Sequence, residues 1–99
     1  MSYVHIVPET LSAAADNLQS IGAALDAHNA AAAAPTTGVI PAAADEVSTL
    51  TAAQFVVHAQ MYHAVSTRAA AIHRALVTTL ADSAGCYAAT EAANAVAAG

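Results

Sequence analysis

Pro35-Thr36-Thr37-Gly38-Val39-Ile40-Pro41 is the one strong interruption in a chain otherwise written for helix. Proline has no N–H to continue a helical ladder and glycine is a poor helix former, so this cluster breaks the pattern. About a third of the residues are alanine, the best helix former of the twenty. The break therefore divides the 99 residues into two long helices joined by a short connection. Short connections place their helices antiparallel. The fold class that follows is all-α, a two-helix antiparallel hairpin, in one small domain.

Upstream of the break, residues 1–7 read as an extended arm with apolar Tyr3, Val4, Ile6 and Val7. Pro8 suits the first helical position, where its missing N–H is no loss, and Glu9 in the first turn complements the helix dipole. A first helix is predicted over residues 8–34, with the loop at 35–41. Its apolar ladder is Leu11, Ala14 or Ala15, Leu18, Ile21, Leu25 and Ala32. Leu11, Leu18 and Leu25 repeat every seven residues, as in a coiled-coil seam. One stripe implies one main neighbour.

Downstream, Pro41 and the acidic pair Asp45-Glu46 mark a helix start, and no Gly or Pro intervenes until Gly85. A second helix is predicted over residues 42–84, with 85–99 a tail that either continues it or frays. This helix carries two apolar stripes. Val47, Leu50, Gln54, Val57, Met61, Val65, Ile72 and Leu76 form one. Phe55, Tyr62, Ala69 and Leu80 form another, about a quarter turn away at 3.6 residues per turn. Two stripes imply two neighbours, and the first helix supplies only one. The apolar surface left over is the expected partner interface, assigned to Leu50, Phe55, Val57, His58, Met61, Tyr62, Val65 and Ile72.

Composition points the same way. Hydrophobic residues make up 58% of the chain, but many are alanines that bury little area each. Charged residues are only 9%, too few to solvate long lone helices. Net charge is -5 with two basic side chains, Arg68 and Arg74. Nucleic acid is excluded as a partner, since phosphate binding needs clustered Lys or Arg, and an anionic membrane surface is unattractive for the same reason. The stretch 47–67 lacks formal charges but is studded with Gln54, His58, Gln60 and His63, which argues against a membrane span. No basic n-region or apolar h-region of a Sec-type signal opens the chain.

No catalytic constellation is visible. His58 and His63 stand five apart, whereas zinc ligands on one helix want three or four. Cys86 is the single cysteine, with no His or Asp arrangement around it and neighbours Gly85 and Tyr87 that are not electropositive. The reading is a non-enzyme without metal or cofactor. Tyr87 and Glu91 differ from the rest. At i,i+4 they share a helix face, two functional groups in an alanine-rich tail.

Pro8-Glu9, the helix–loop–helix layout, and the segments Phe55-Val56-Val57-His58-Ala59-Gln60-Met61-Tyr62 and Tyr87-Ala88-Ala89-Thr90-Glu91-Ala92-Ala93-Asn94 together resemble the PE family of mycobacteria. The resemblance covers essentially the whole chain. It implies a helical hairpin that pairs with a PPE protein in a lengthwise four-helix bundle, and export of the heterodimer by a type VII (ESX) secretion system. The family's export signal, Tyr-x-x-x-Asp/Glu, maps to Tyr87 and Glu91. It acts with a Trp-x-Gly turn of the partner, and this chain contains no Trp. A cytosolic chaperone is implied only indirectly, holding the PPE partner at the tip away from the PE chain. The implied location is secreted or at the cell envelope, after a transient cytoplasmic stage. The competing expectation is a membrane-active or pore-forming envelope component with the same partner. A self-paired homodimer would also cover the second stripe.

Overall fold

The computed structural model describes residues 7–99, so the expected arm lies outside the described residues except for Val7. Helix α1 runs Pro8–Thr37 and helix α2 runs Glu46–Ala98. Pro8 opens α1 as expected, and the first-turn Thr10 N–H donates to Val7 O at 3.0 Å.

Three predicted boundaries are corrected. First, α1 continues past residue 34 and takes Pro35 into its last turn. The turn is closed by side chains and backbone together: Thr36 Oγ1 donates to Ala32 O (2.6 Å), Thr37 Oγ1 to Ala33 O (2.7 Å) and Gly38 N to Ala34 O (2.9 Å). These bonds satisfy carbonyls that a helix end leaves orphaned. Second, α2 starts at Glu46 rather than residue 42, because Asp45 is its cap. Asp45 Oδ1 accepts from Ser48 N (2.7 Å), and Oδ2 accepts from Ser48 Oγ (3.2 Å). Third, α2 passes through Gly85 and takes in the tail to Ala98. Gly85 does not have the positive φ that ends helices; among the described residues only Gly99 does. One glycine costs roughly 1 kcal/mol against alanine, which the alanine-rich flanks absorb.

The chain forms two compact units, each with one stretch of α1 lying antiparallel to one stretch of α2. The first pairs the chain up to Gly22 with His73–Gly99, and the second is Ala23–Ile72. In the first unit, His73 Nε2 donates across to Leu18 O at 2.6 Å. A Cβ placed on Gly22 would stand 2.7 Å from His73 Cδ2 and 2.8 Å from Nε2. In the second unit, the Tyr62 hydroxyl donates to Asn29 Oδ1 (3.0 Å). His63 Nε2 lies 3.2 Å from Thr36 Oγ1. That hydroxyl's proton already goes to Ala32 O, so the ring nitrogen is the donor.

The packing rows differ from the predicted ones. On α2 the covered positions Ala52, Val56, Ala59, His63, Ser66, Ala70, His73, Val77, Leu80 and Ala84 are spaced alternately by four and three, with Ser48 and Ser83 half-covered outside that rhythm. This is an unbroken heptad seam, built mostly from small or polar side chains. Of the two predicted apolar stripes, only Leu80 belongs to it. On α1, Leu11, Ala15, Leu18 and Ala32 are covered as expected, but Gly22 takes the place assigned to Ile21. Ile21 and Leu25 are 60% and 53% exposed. The physical reason is distance: small residues at the seam let two helices approach closely, and large side chains are then turned outward.

The two mid-helix glycines therefore predict opposite outcomes. Gly22→Ala gains about 1 kcal/mol of helix propensity. It loses more, about 1–3 kcal/mol from overpacking against a ring held by its own hydrogen bond. A Cβ placed on Gly85 would meet nothing within 4 Å, so Gly85→Ala keeps the full propensity gain. Thermal unfolding followed by circular dichroism should show Gly22→Ala lowering the midpoint and Gly85→Ala raising it. His73→Ala in the Gly22→Ala background should recover part of the loss.

The Asp45 cap predicts a pH dependence. The Ser48 N–H holds the Asp45 carboxyl below the ordinary carboxylate range. A depressed folded pKa stabilises above the unfolded value and loses that contribution as pH falls through the folded one. Asp45→Ala should lower the melting midpoint at neutral pH, Asp45→Asn should change it little, and the Asp-to-Ala difference should shrink on acidification below the carboxylate range.

Candidate interaction surface and tail

All eight residues expected to form an interface lie on α2 in the second unit, and none is buried. Phe55 is 61% exposed, Met61 64%, Val65 65% and Ile72 71%. Leu50, Val57, His58 and Tyr62 are exposed as well. Tyr62 is tethered to α1 by its hydroxyl and stacks edge-on to its neighbour His63 at 5.5 Å between centroids. Its ring face is thereby held in place while remaining accessible.

The seam phase sorts this surface into sides. Phe55, Tyr62, Ala69 and Leu76 follow one another by seven, immediately beside the seam, and Val65 and Ile72 continue the arc outward. On α1 the exposed apolar pair is Ile21 and Leu25. The opposite flank of the α2 seam carries Ala53, Gln60, Thr67 and Arg74. The first flank is large and apolar from the seam outward, whereas the opposite flank is small or polar beside the seam, with Leu50 and Val57 exposed further out. Such an asymmetry suits a partner laid along one side.

Area gives the scale. The only buried hydrophobic residues described are Ala15, Ala52, Ala59 and Ala84, and no large side chain is fully buried. The accessible surface is 7449 Å² for a mass of 9.8 kDa, whereas a globular monomer of that mass exposes roughly 5,200 Å². The surplus, roughly 2,200 Å² of polar and apolar surface together, is on the scale of one side of a large obligate interface.

Pro8 is buried and Glu9 is exposed in the first turn of α1. From the Leu18–His73 crossing, ten residues back along α1 reach Pro8 and eleven forward along α2 reach Ala84. Ala84 is buried, and every residue from Gly85 onward is exposed. The last fourteen residues of α2, 85–98, thus overrun the start of α1 by roughly 20 Å. Tyr87, 43% exposed, and Glu91 sit on this overhang, four apart on continuous helix. Cys86 is a free, exposed thiol beside them. Sequence reasoning did not single out Gly22, Asn29 or His73. Their role is cross-helix contact, and the available signal was the small or polar residue every three or four positions along α2.

Among the described residues no group of three His, Cys, Asp or Glu is placed to hold a metal ion, and no helix is long and apolar enough to cross a membrane.

The sequence model of the PE family matches residues 4–94. The chain is 69% identical over 98 residues to the PE family protein PE13 of Mycobacterium tuberculosis strain H37Rv, covering 99% of both chains. It is 54% identical over 98 residues to the PE family protein PE8 of the same strain, of which it spans 36%. It is 53% identical over 95 residues to that strain's PE-PGRS family protein PE_PGRS33, of which it spans 19%. The similarity is thus end to end with one relative and confined to part of the other two.

The inward and outward faces of α2 predict different mutational costs. Ala59→Leu, at a seam position only 8% exposed, should destabilise the hairpin by about 1–3 kcal/mol through overpacking. Ile72→Gln, on the open arc, should stay within about 0.5 kcal/mol. Urea titration of both variants is the measurement.

Proposed function

This chain belongs to the PE family, and on that premise we propose that it is a non-enzymatic pairing subunit. Its partner is a PPE protein that lays two helices along the apolar flank of the hairpin to complete a four-helix bundle. The observation that carries this reading is the row Phe55–Tyr62–Leu76 with Val65 and Ile72, large side chains left in water beside a seam of small ones. Folding both helices leaves every member of this row about half or more exposed, an apolar surface that a partner laid along it would cover. The exposed members contribute by burial on pairing, at about 25 cal/mol per Å² of apolar area before association costs.

Tyr87 and Glu91 are proposed as this chain's half of a type VII export signal. The overhang supports that role. It separates the two groups from the packed seam and presents them on one helical face, an aromatic for apolar contact and a carboxylate for a charge-assisted hydrogen bond. In this reading the heterodimer forms in the cytoplasm, with a chaperone attached only through the PPE partner, and is then carried out to the envelope or medium.

The test separates pairing from export. Phe55→Asp should abolish co-purification of a tagged PPE partner, because a carboxylate would be buried there unpaired at a cost of several kcal/mol. Tyr87→Ala or Glu91→Ala should leave co-purification intact and remove the pair from culture filtrate, while Glu91→Asp should be exported. Full recovery of the pair with Phe55→Asp would refute the interface, and normal secretion of both alanine variants would refute the signal.

A further inference from the structure

The seam of α2 does not stop where α1 does. Its alternation of four and three reaches Leu80 and Ala84, the last covered positions, and the next steps in the same rhythm are Tyr87, Glu91 and Asn94. At 100° per residue all three fall within roughly 60° of the line that α1 occupies further back. The overhang thus continues the face used for helix packing, but with an aromatic, a carboxylate and a carboxamide where the packed part has mostly small residues. The remaining positions from Ala88 to Val96, apart from Thr90, are alanine and valine. Thr90 turns its hydroxyl back to Cys86 O at 3.0 Å, within its own helix.

We infer that Asn94 is a third recognition residue, and that Tyr87, Glu91 and Asn94 form one docking row for a cationic helix of the export machinery. The inference rests on the export reading above and deepens it. Continuity with the seam says what shape fits: a helix laid where α1 would run if it were longer. Charge says what chemistry fits. Glu91 is the charged member of the row, and from Gly85 onward the described chain carries no Lys or Arg, so a cation facing Glu91 comes from the incoming helix. An Arg or Lys opposite Glu91 makes the charge-assisted bond, an apolar slot takes the Tyr87 ring, and the Asn94 carboxamide offers two donors and an acceptor one turn on. Asparagine is a weaker helix former than the alanines around it, and its exposed position here has no packing duty in the hairpin.

The experiment exports the full chain with its partner and compares Asn94→Ala, Tyr87→Ala, Glu91→Ala and an off-row control, Ala89→Gln, which lies on the far side of the helix. Culture filtrate is blotted against lysate, with co-purification of the pair and helix content by circular dichroism as parallel readouts. Asn94→Ala should cut export about tenfold, the loss of a well-formed interfacial hydrogen bond, with pairing and helicity retained; Ala89→Gln should export normally. Normal export of Asn94→Ala beside failed export of Tyr87→Ala and Glu91→Ala would overturn the third residue and leave the two-residue signal standing. Normal export of all of them would overturn both. Loss of the heterodimer in Asn94→Ala would also overturn the inference, because the row would then belong to the partner contact. A drop with Ala89→Gln equal to that with Asn94→Ala would overturn the facing of the row.

Discussion

Close approach of two helices along small residues is the constraint on which the rest of this molecule depends. Where Gly22 meets His73, there is no room for even a methyl group. The ring that fills the space is held by a carbonyl of the opposite helix. Ala15, Ala52, Ala59 and Ala84 are buried for the same reason. A seam this narrow brings the backbones together but buries little apolar area, and area is the main source of stability. The hairpin therefore gains specificity of register from its seam more than it gains energy. The cross-helix hydrogen bonds from His73, Tyr62 and His63 add to that specificity, each contributing on the order of 1 kcal/mol.

Narrowness inside has a consequence outside. Large side chains excluded from the seam must point elsewhere: Phe55, Tyr62, Val65, Ile72 and Leu76 gather on one flank of α2, Leu50, Val57 and Met61 are exposed elsewhere on it, and Ile21 and Leu25 are exposed on α1. The same physical choice thus produces a weak internal interface and an exposed apolar surface outside it. The chain belongs to the PE family, and two of its relatives carry further sequence beside the part that matches it.

The ends of the helices divide the labour. Asp45 and the threonines at 36 and 37 close the two ends beside the loop with their own side chains, so the connection is held by local bonds. At the other end α2 simply continues, through a glycine with open space around it, into a stretch whose residues are all exposed. A helix without tertiary support survives there because alanine favours it intrinsically. Groups displayed on it keep fixed spacing without being part of any core.

Much of this was legible in the residues themselves. The Pro35–Pro41 cluster separates two helices, Pro8 starts one, the acidic pair Asp45-Glu46 marks the start of the other, and i,i+4 spacing puts Tyr87 and Glu91 on one face; each is a local property of the backbone and of short-range interactions. Local reasoning also placed both helix ends near the loop several residues away from where side-chain caps put them, and left open whether the tail beyond Gly85 continues the helix, which it does to Ala98. What the residues alone did not decide was which row of α2 faces α1. Hydrophobicity ranks rows by size, and by that measure the two apolar stripes outrank a row of Ala, Ser and His. Packing ranks them by how closely two backbones approach, and that depends on both helices at once: Gly22 matters only because His73 stands opposite. Sequence by itself determined the two helices and the stock of apolar surface; tertiary structure decided which of that surface is used inside and which is left exposed, because fit between two surfaces is a property of neither one alone.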